Sequence, residues 1–281
     1  MKILLTGSTG FVGSYILDSL EGRYELILPV RNREKVKKGI PNATIIQFEE
    51  PLSQIVIEYQ PDIVINTLGI LIENKKVTFE KVHVEYVRQL VEGSVKSSVK
   101  KFIHISALGA DKNSKSRYAQ TKAEAEEIII NSGLNYLILR PSIILGKGQK
   151  LFDDLRKLSL IAPFLFAPKG KVQPVHINDV VDVVLKGVEN RLDNGIIELC
   201  GNRIVSYKEL FQFALGYIGR KRPVFEMPLS VLQIMVPFMQ ILPEPPVTQD
   251  QIYLLKKDNV CTGKLKTQKD ILGSVRNPFK F

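Results

Sequence analysis

The chain is poor in the residues that build metal centres and long membrane spans. Its 281 residues include two cysteines, Cys200 and Cys261, and three histidines, His83, His104 and His176, all far apart in sequence. Neither set has the close spacing of a metal site, so none is expected. Two cysteines without a partner motif suit reduced thiols and a cytoplasmic protein. No apolar run approaches the ~20 residues needed to span a bilayer. The first apolar run opens directly after Met1 and Lys2, which leaves no room ahead of it for a signal peptide. The net charge is +10, but Lys and Glu are interspersed along the chain and no long basic block is present. That pattern excludes nucleic acid as the expected partner and fits an affinity for anionic surfaces. Internal repeats and low-complexity linkers are also absent.

What is present begins at the start of the chain. Ile3, Leu4 and Leu5 form a short apolar run, as in a strand buried on both faces of a parallel sheet. Gly7, Gly10 and Gly13 follow, and then Val12, Ile16, Leu17 and Leu20 recur at helical spacing. A strand, a glycine turn and a helix in that order make a dinucleotide cradle. Glycine permits a tight turn and close approach of a pyrophosphate, and the helix N-terminus offers its free N–H groups to the phosphates. Ser8, Thr9, Phe11 and Val12 belong to the same loop and are candidate cofactor contacts.

The alternation continues. Strands are expected over 24–31, 44–48, 62–69, 101–106 and 136–140, and helices over 52–59, 79–91 and 118–131. This predicts an α/β chain with a Rossmann-like, doubly wound parallel sheet. Ligands should gather at the strands' carboxyl ends, where Gly7, Leu68, Gly69, Ser106, Pro141 and Ile143 fall. The second strand usually ends in an acid that holds the ribose hydroxyls of NAD. Here it ends in Arg31, with Asn32, Arg33 and Lys35 after it. Cations there favour a 2′-phosphate, so NADP(H) is the preferred cofactor and NAD(H) is admitted.

After Pro141 the pattern loosens. A helical excursion is expected between Gly146 and Gly170, short strands over 172–175 and 196–199, and helices over 179–188 and 207–217. Residues 1–145, completed by 175–201, read as the nucleotide-binding domain, and 146–281 as a smaller substrate or partner lobe.

Tyr118 and Lys122 stand four apart at a helix start, which places phenol and ammonium on one face. An ammonium there should lower the phenol's pKa toward the range of proton transfer. With Ser106 at the end of the preceding strand, they are the candidate catalytic residues.

These pieces together resemble the short-chain dehydrogenase/reductase superfamily in its extended or atypical form. The motifs are Thr6-Gly7-x-x-Gly10-x-x-Gly13, Asn66 to Gly69, Ser106, Tyr118-x-x-x-Lys122, Arg140-Pro141 with Gly146, and His176 to Val180. The resemblance implies that Lys122 holds the nicotinamide ribose and that Tyr118 is the proton donor. A narrower resemblance joins 77–90, 102–111, 114–118, 245–252 and 257–260 to the nucleotide-binding accessory subunit of respiratory complex I and its bacterial relatives. It implies an accessory or assembly role at a membrane NADH dehydrogenase, at the inner face of the plasma membrane. The alternative is an active reductase, dehydrogenase or epimerase on a sugar-nucleotide or quinone-type substrate.

Two departures favour the first role. Ser106 is followed by Ala107, where related enzymes carry further hydroxyls, and His83 stands where many carry asparagine. Leu229 to Leu242 is nearly all apolar. Such a segment either packs against the chain's own body or docks outward. The docking reading expects a short helix ending before Pro237 that presents Leu232, Met235 and Val236 to a partner or to lipid, with Arg220, Lys221 and Arg222 meeting anionic head groups.

Overall fold

A computed structural model describes residues 1–49, 51–192, 194–239 and 247–281. The elements follow in chain order as β1 (Lys2–Thr6), α1 (Phe11–Leu20), β2 (Glu25–Val30), β3 (Ala43–Gln47), α2 (Leu52–Tyr59), β4 (Ile63–Asn66), α3 (Tyr86–Lys96), β5 (Lys101–Ile105), α4 (Arg117–Ile130) and β6 (Tyr136–Pro141). The second half adds β7 (Ile144–Leu145), α5 (Lys150–Ile161), β8 (Leu165–Pro168), β9 (Lys171–Val172), β10 (Val175–His176), α6 (Ile177–Val188), β11 (Gly195–Leu199), β12 (Val205–Ser206), α7 (Tyr207–Tyr217), β13 (Val224–Met227), α8 (Leu229–Met239), α9 (Gln249–Leu255) and α10 (Gln268–Leu272).

Seven strands make one sheet in the order β11-β6-β5-β4-β1-β2-β3, and every pairing is parallel. The order reverses at β1, which places the glycine turn after β1 at the switch point where ligands bind. Buried residues alternate between the faces. Ile3 and Leu5 join Ile16, Val180 and Val184 in the core beneath α1 and α6. Leu4 joins Val87, Leu90 and Phe102 in the core beneath α2, α3 and α4. Full burial of such side chains contributes about 1.5–3 kcal/mol each, enough to hold strands rich in β-branched residues on both faces. A third cluster, with Phe152, Leu165, Leu210 and Val224, gathers α5, β8, α7 and β13.

The expected helix over 79–91 begins as a π-helical turn at Glu80–Glu85 before α3. That extra-wide turn carries His83, a position at which such turns often mark function. The single strand expected over 172–175 divides into β9 and β10, which pair with β12 and β7.

Two expectations for the apolar segment need correction. The helix does not end before Pro237; α8 runs on to Met239. Proline removes one i→i−4 bond, and only the last turn depends on it. Leu232 and Val236 are not presented outward either. Both are buried with Met227 and Ile252 in the chain's own core, whereas Val231, Ile234 and Met235 are exposed. The remainder of that segment, 240–242, lies outside the described residues, as do 243–246.

Cys200 and Cys261 are not free thiols: a disulfide joins them across a sequence separation of 61. Scarcity gave no hint of the pairing, because the fold alone brings the end of β11 beside the returning C-terminal segment. That segment is fastened at other points too. Glu198 accepts from Thr262 N at 2.7 Å, Ser142 donates to Asn259 Oδ1 at 2.5 Å, and Arg276 meets Asp179 at 2.5 Å.

Candidate dinucleotide site

The glycine loop is built as expected, with each glycine required for a different reason. Gly7 has φ +72°, the left-handed region that favours glycine, and a Cβ there would lie 2.5 Å from Thr67 Oγ1. At Gly13 a Cβ would meet Gly7 O at 2.1 Å, so this glycine lets α1 close onto the turn. Gly10, the N-cap of α1, is exposed. Its Cβ would meet only Gly7 O within 4 Å, at 3.2 Å. Thr9 is exposed beside it, and Phe11 and Val12 are half-buried at the start of α1. The Ser8 hydroxyl is buried with no hydrogen-bond partner among the described residues. A phosphate oxygen is the partner such a hydroxyl lacks. The free helix N-terminus, the close glycine turn and this unpaired hydroxyl therefore fit a dinucleotide pyrophosphate.

Arg31 lies exposed just past β2. Asn32 caps the short turn at Arg33–Lys35 by accepting from Glu34 N at 2.8 Å, and Arg33 donates to Ile45 O at 2.5 Å. Arg33 is thus engaged with β3. No acid stands where an NAD ribose is usually held.

A polar chain crosses the carboxyl ends of the central strands. Thr6 Oγ1 donates to Asn66 Oδ1 at 2.7 Å, and Leu68 N donates to the same oxygen at 3.1 Å. The Asn66 amide nitrogen therefore donates to His104 Nδ1, 3.1 Å away. His83 is set the same way. Ile70 N donates to its Nε2 at 3.2 Å, so Nδ1 carries the proton and donates to Thr121 Oγ1 at 3.0 Å. Burial, and then the nearby Lys122 charge, hold both imidazoles neutral; the His83 pKa falls to about 2 and that of His104 well below its usual value.

Lys122 is buried on α4 and donates to Ile105 O at 3.2 Å. A Cβ on Gly69 would lie 3.4 Å from its Nζ, so the ammonium reaches the end of β4 as well. Burial lowers the Lys122 pKa to about 8, opposed by Glu126. Tyr118 packs edge-on against Phe79 at 5.6 Å and His83 at 5.3 Å between ring centroids. The expected lowering of its pKa is not found. Burial first, and Asp250 second, push the phenol up to about 12. The Lys122 ammonium one turn away does not offset them.

Ser106 sits at the end of β5 but faces elsewhere. Its hydroxyl donates to Glu126, which Arg140 grips through Nε at 2.9 Å and Nη2 at 2.5 Å. Glu126 is buried, so the bidentate pair and the serine together satisfy its charge. Pro141 accepts from Leu108 N at 2.9 Å, and Ile143 accepts from Val175 N at 2.9 Å, which fixes the β6–β7 edge of the site.

The structure thus brings Gly69, Tyr118 and Lys122 together around His83 and leaves Ser106 with Glu126. Sequence reasoning missed Asp250. Its carboxylate accepts from Ser116 Oγ at 2.8 Å and Arg117 N at 2.5 Å, capping the helix of Tyr118 from 132 residues downstream. The signal was a carboxylate at the start of α9 within a segment already singled out, but only the fold joins it to α4.

Residues 7–153, more than half of the chain, match the family model described as NAD(P)H-binding. The chain belongs to this NAD(P)H-binding family. It is a Rossmann-fold, short-chain dehydrogenase/reductase-like protein. Among its relatives is the mitochondrial NADH-ubiquinone oxidoreductase 40 kDa subunit of Neurospora crassa, 26% identical, with 94% of this chain and 73% of the relative aligned. Another is the UDP-glucose 4-epimerase of Vibrio cholerae, 24% identical over 82% of this chain and 79% of that one. In fold, a nucleoside-diphosphate-sugar epimerase from Staphylococcus aureus matches with a TM-score of 0.74 at 18% identity, covering 100% of this chain and 99% of the other. Family membership accounts for the glycine turn at the switch point.

Proposed function

We propose that the chain holds NADP(H) as an accessory or assembly subunit of a membrane respiratory NADH dehydrogenase, peripheral at the cytoplasmic face. The observation that carries this reading is the commitment of Ser106 to Glu126, which Arg140 holds in turn. It leaves Tyr118 without a serine partner, and Ala107 and Leu108 supply no hydroxyl in its place. A phenol with a pKa of about 12 is also a poor proton donor near neutrality. The Neurospora relative, named as an oxidoreductase subunit, supports the same role.

When bound, the nicotinamide supplies hydride chemistry. The chain's residues would hold the cofactor: the Gly7–Gly13 loop and Ser8 at the pyrophosphate, Arg31 at a 2′-phosphate, and Lys122 at the nicotinamide ribose, with Leu68, Gly69, Pro141 and Ile143 around them. The division at 145/146 would leave 146–281 to meet the partner.

An active reductase or epimerase is the second reading. It is favoured by Tyr118 and Lys122 lying on one face of α4 beside the strand ends, and by the epimerase relative. Native mass spectrometry of the purified protein tests the first reading. Retained NADP(H) is expected, and an empty or NAD-loaded protein would contradict it.

A further inference from the structure

Among the described residues, a cluster of exposed aromatic side chains lies on the ribbon of β8 and β13. Phe166 and Phe225 are register partners on this parallel pair, and Phe164 completes a triad with ring centroids 5.4–6.3 Å apart. The three are 45–51% exposed, and Ile161 at the end of α5 is 82% exposed. Alternate residues Leu165, Ala167 and Val224 fill the core behind them. The ribbon is thus apolar on both faces over Leu165–Ala167 and Val224–Phe225.

Arg220, Lys221 and Arg222 form an unbroken run of cations just before β13, whose one acid is Glu226. Arg156 on α5 is already paired with Asp153 at 3.3 Å. Arg222 is fixed at the end of α5, where its Nε donates to Ser159 O and Ala162 O, both at 3.2 Å. Beside it an open cleft of about 400 Å³ is lined by Arg220, Lys221 and Arg222 with Gln212 and Leu215.

We propose that this face rests on an anionic lipid bilayer, with the three phenylalanine rings at the acyl boundary and lipid phosphates in the cleft of Arg220, Lys221 and Arg222. Phenylalanine offers hydrocarbon and no polar handle, so it gains from lipid without needing a matched partner surface. Clustered cations are attracted to an anionic leaflet by roughly fivefold in partitioning per charge. The proposal deepens, and rests on, the membrane-complex reading above.

The test is sedimentation of the purified full chain with two kinds of vesicle, pure phosphatidylcholine and phosphatidylcholine containing phosphatidylglycerol. Binding is expected to the anionic vesicles alone. Phe166→Ser with Phe225→Ser should lower partitioning by about tenfold or more, with nucleotide binding unchanged. Arg220→Gln with Lys221→Gln should lower it by more than tenfold. Should the double phenylalanine variant fail to fold, Ile161→Glu is read instead, with the same direction expected. Failure to bind anionic vesicles overturns the proposal. So does loss on charge removal with no change on aromatic removal, which would mean a purely electrostatic contact. A dimer dissociated by Phe166→Ser would assign the face to a second copy and overturn it too. If the chain co-purifies with the respiratory complex in detergent yet ignores vesicles, the lipid proposal fails and the accessory-subunit reading stands. Vesicle binding without co-purification gives the reverse.

Discussion

Asp250 caps the helix that carries Tyr118. One carboxylate oxygen accepts from Ser116 Oγ at 2.8 Å and the other from Arg117 N at 2.5 Å. A residue of α9 therefore takes up the Arg117 and Tyr118 N–H groups beside the Ser116 side-chain cap on Ala119 N, and adds negative charge beside the phenol. Both effects follow from one contact between segments 132 residues apart.

Asp250→Asn should cost about 1 kcal/mol of stability through the weakened cap. It should also lower the Tyr118 pKa without restoring the ordinary value, because burial is the larger cause. Titration of ring-labelled tyrosine by NMR reads the second effect. An unchanged phenol would show that Asp250 does not reach it electrostatically.

The two neutral histidines make stability depend on pH. Both have folded pKa values depressed below the unfolded 6.5. Their contribution is present above pH 6.5 and is lost as pH falls, since only the unfolded chain takes up the protons. For His83 the loss by pH 5 should be about 2 kcal/mol. Urea midpoints at pH 7.5 and pH 5 check this, and His83→Asn should flatten that part of the difference.

Gly10 and Gly13 should separate binding from folding. Gly13→Ala forces a Cβ onto the Gly7 carbonyl, 2.1 Å away, and should destabilise the protein by about 1–3 kcal/mol or more. Gly10→Val meets far less of the chain and should leave the fold intact while abolishing nucleotide binding. Thermal melts with and without NADP(H) distinguish the two.

Sequence showed the sheet and the nucleotide loop because both rest on local signals. Apolar runs such as Ile63 to Ile65 and the glycine triplet announce themselves within a few residues. What stayed hidden was long-range. The Cys200–Cys261 bond, the Asp250 cap and the Ser106–Glu126–Arg140 cluster each join segments that only the fold brings together. The Tyr118–Lys122 spacing was read correctly as one face, but burial reversed the expected pKa direction. Likewise α8 showed its apolar character, and its inward face could not be told from its outward face without Ile252 packing on it.

Reduction of the disulfide should destabilise the chain by about 4 kcal/mol, the loop-closure value for a separation of 61 residues. Urea unfolding with and without dithiothreitol measures it. Unchanged stability, or two free thiols in protein purified under non-reducing conditions, would rule the bond out as a support of the native fold.

We propose that this protein binds NADP(H) for a partner's sake and not to turn over a substrate. Co-purification from detergent-solubilised membranes, with bound nucleotide quantified, tests it most directly in Tyr118→Phe and Lys122→Ala. Tyr118→Phe should keep both nucleotide and complex, because only a proton donor is removed, whereas Lys122→Ala should lose both together. A Lys122→Ala protein that keeps its nucleotide, or a complex that forms without any nucleotide bound, would contradict the account.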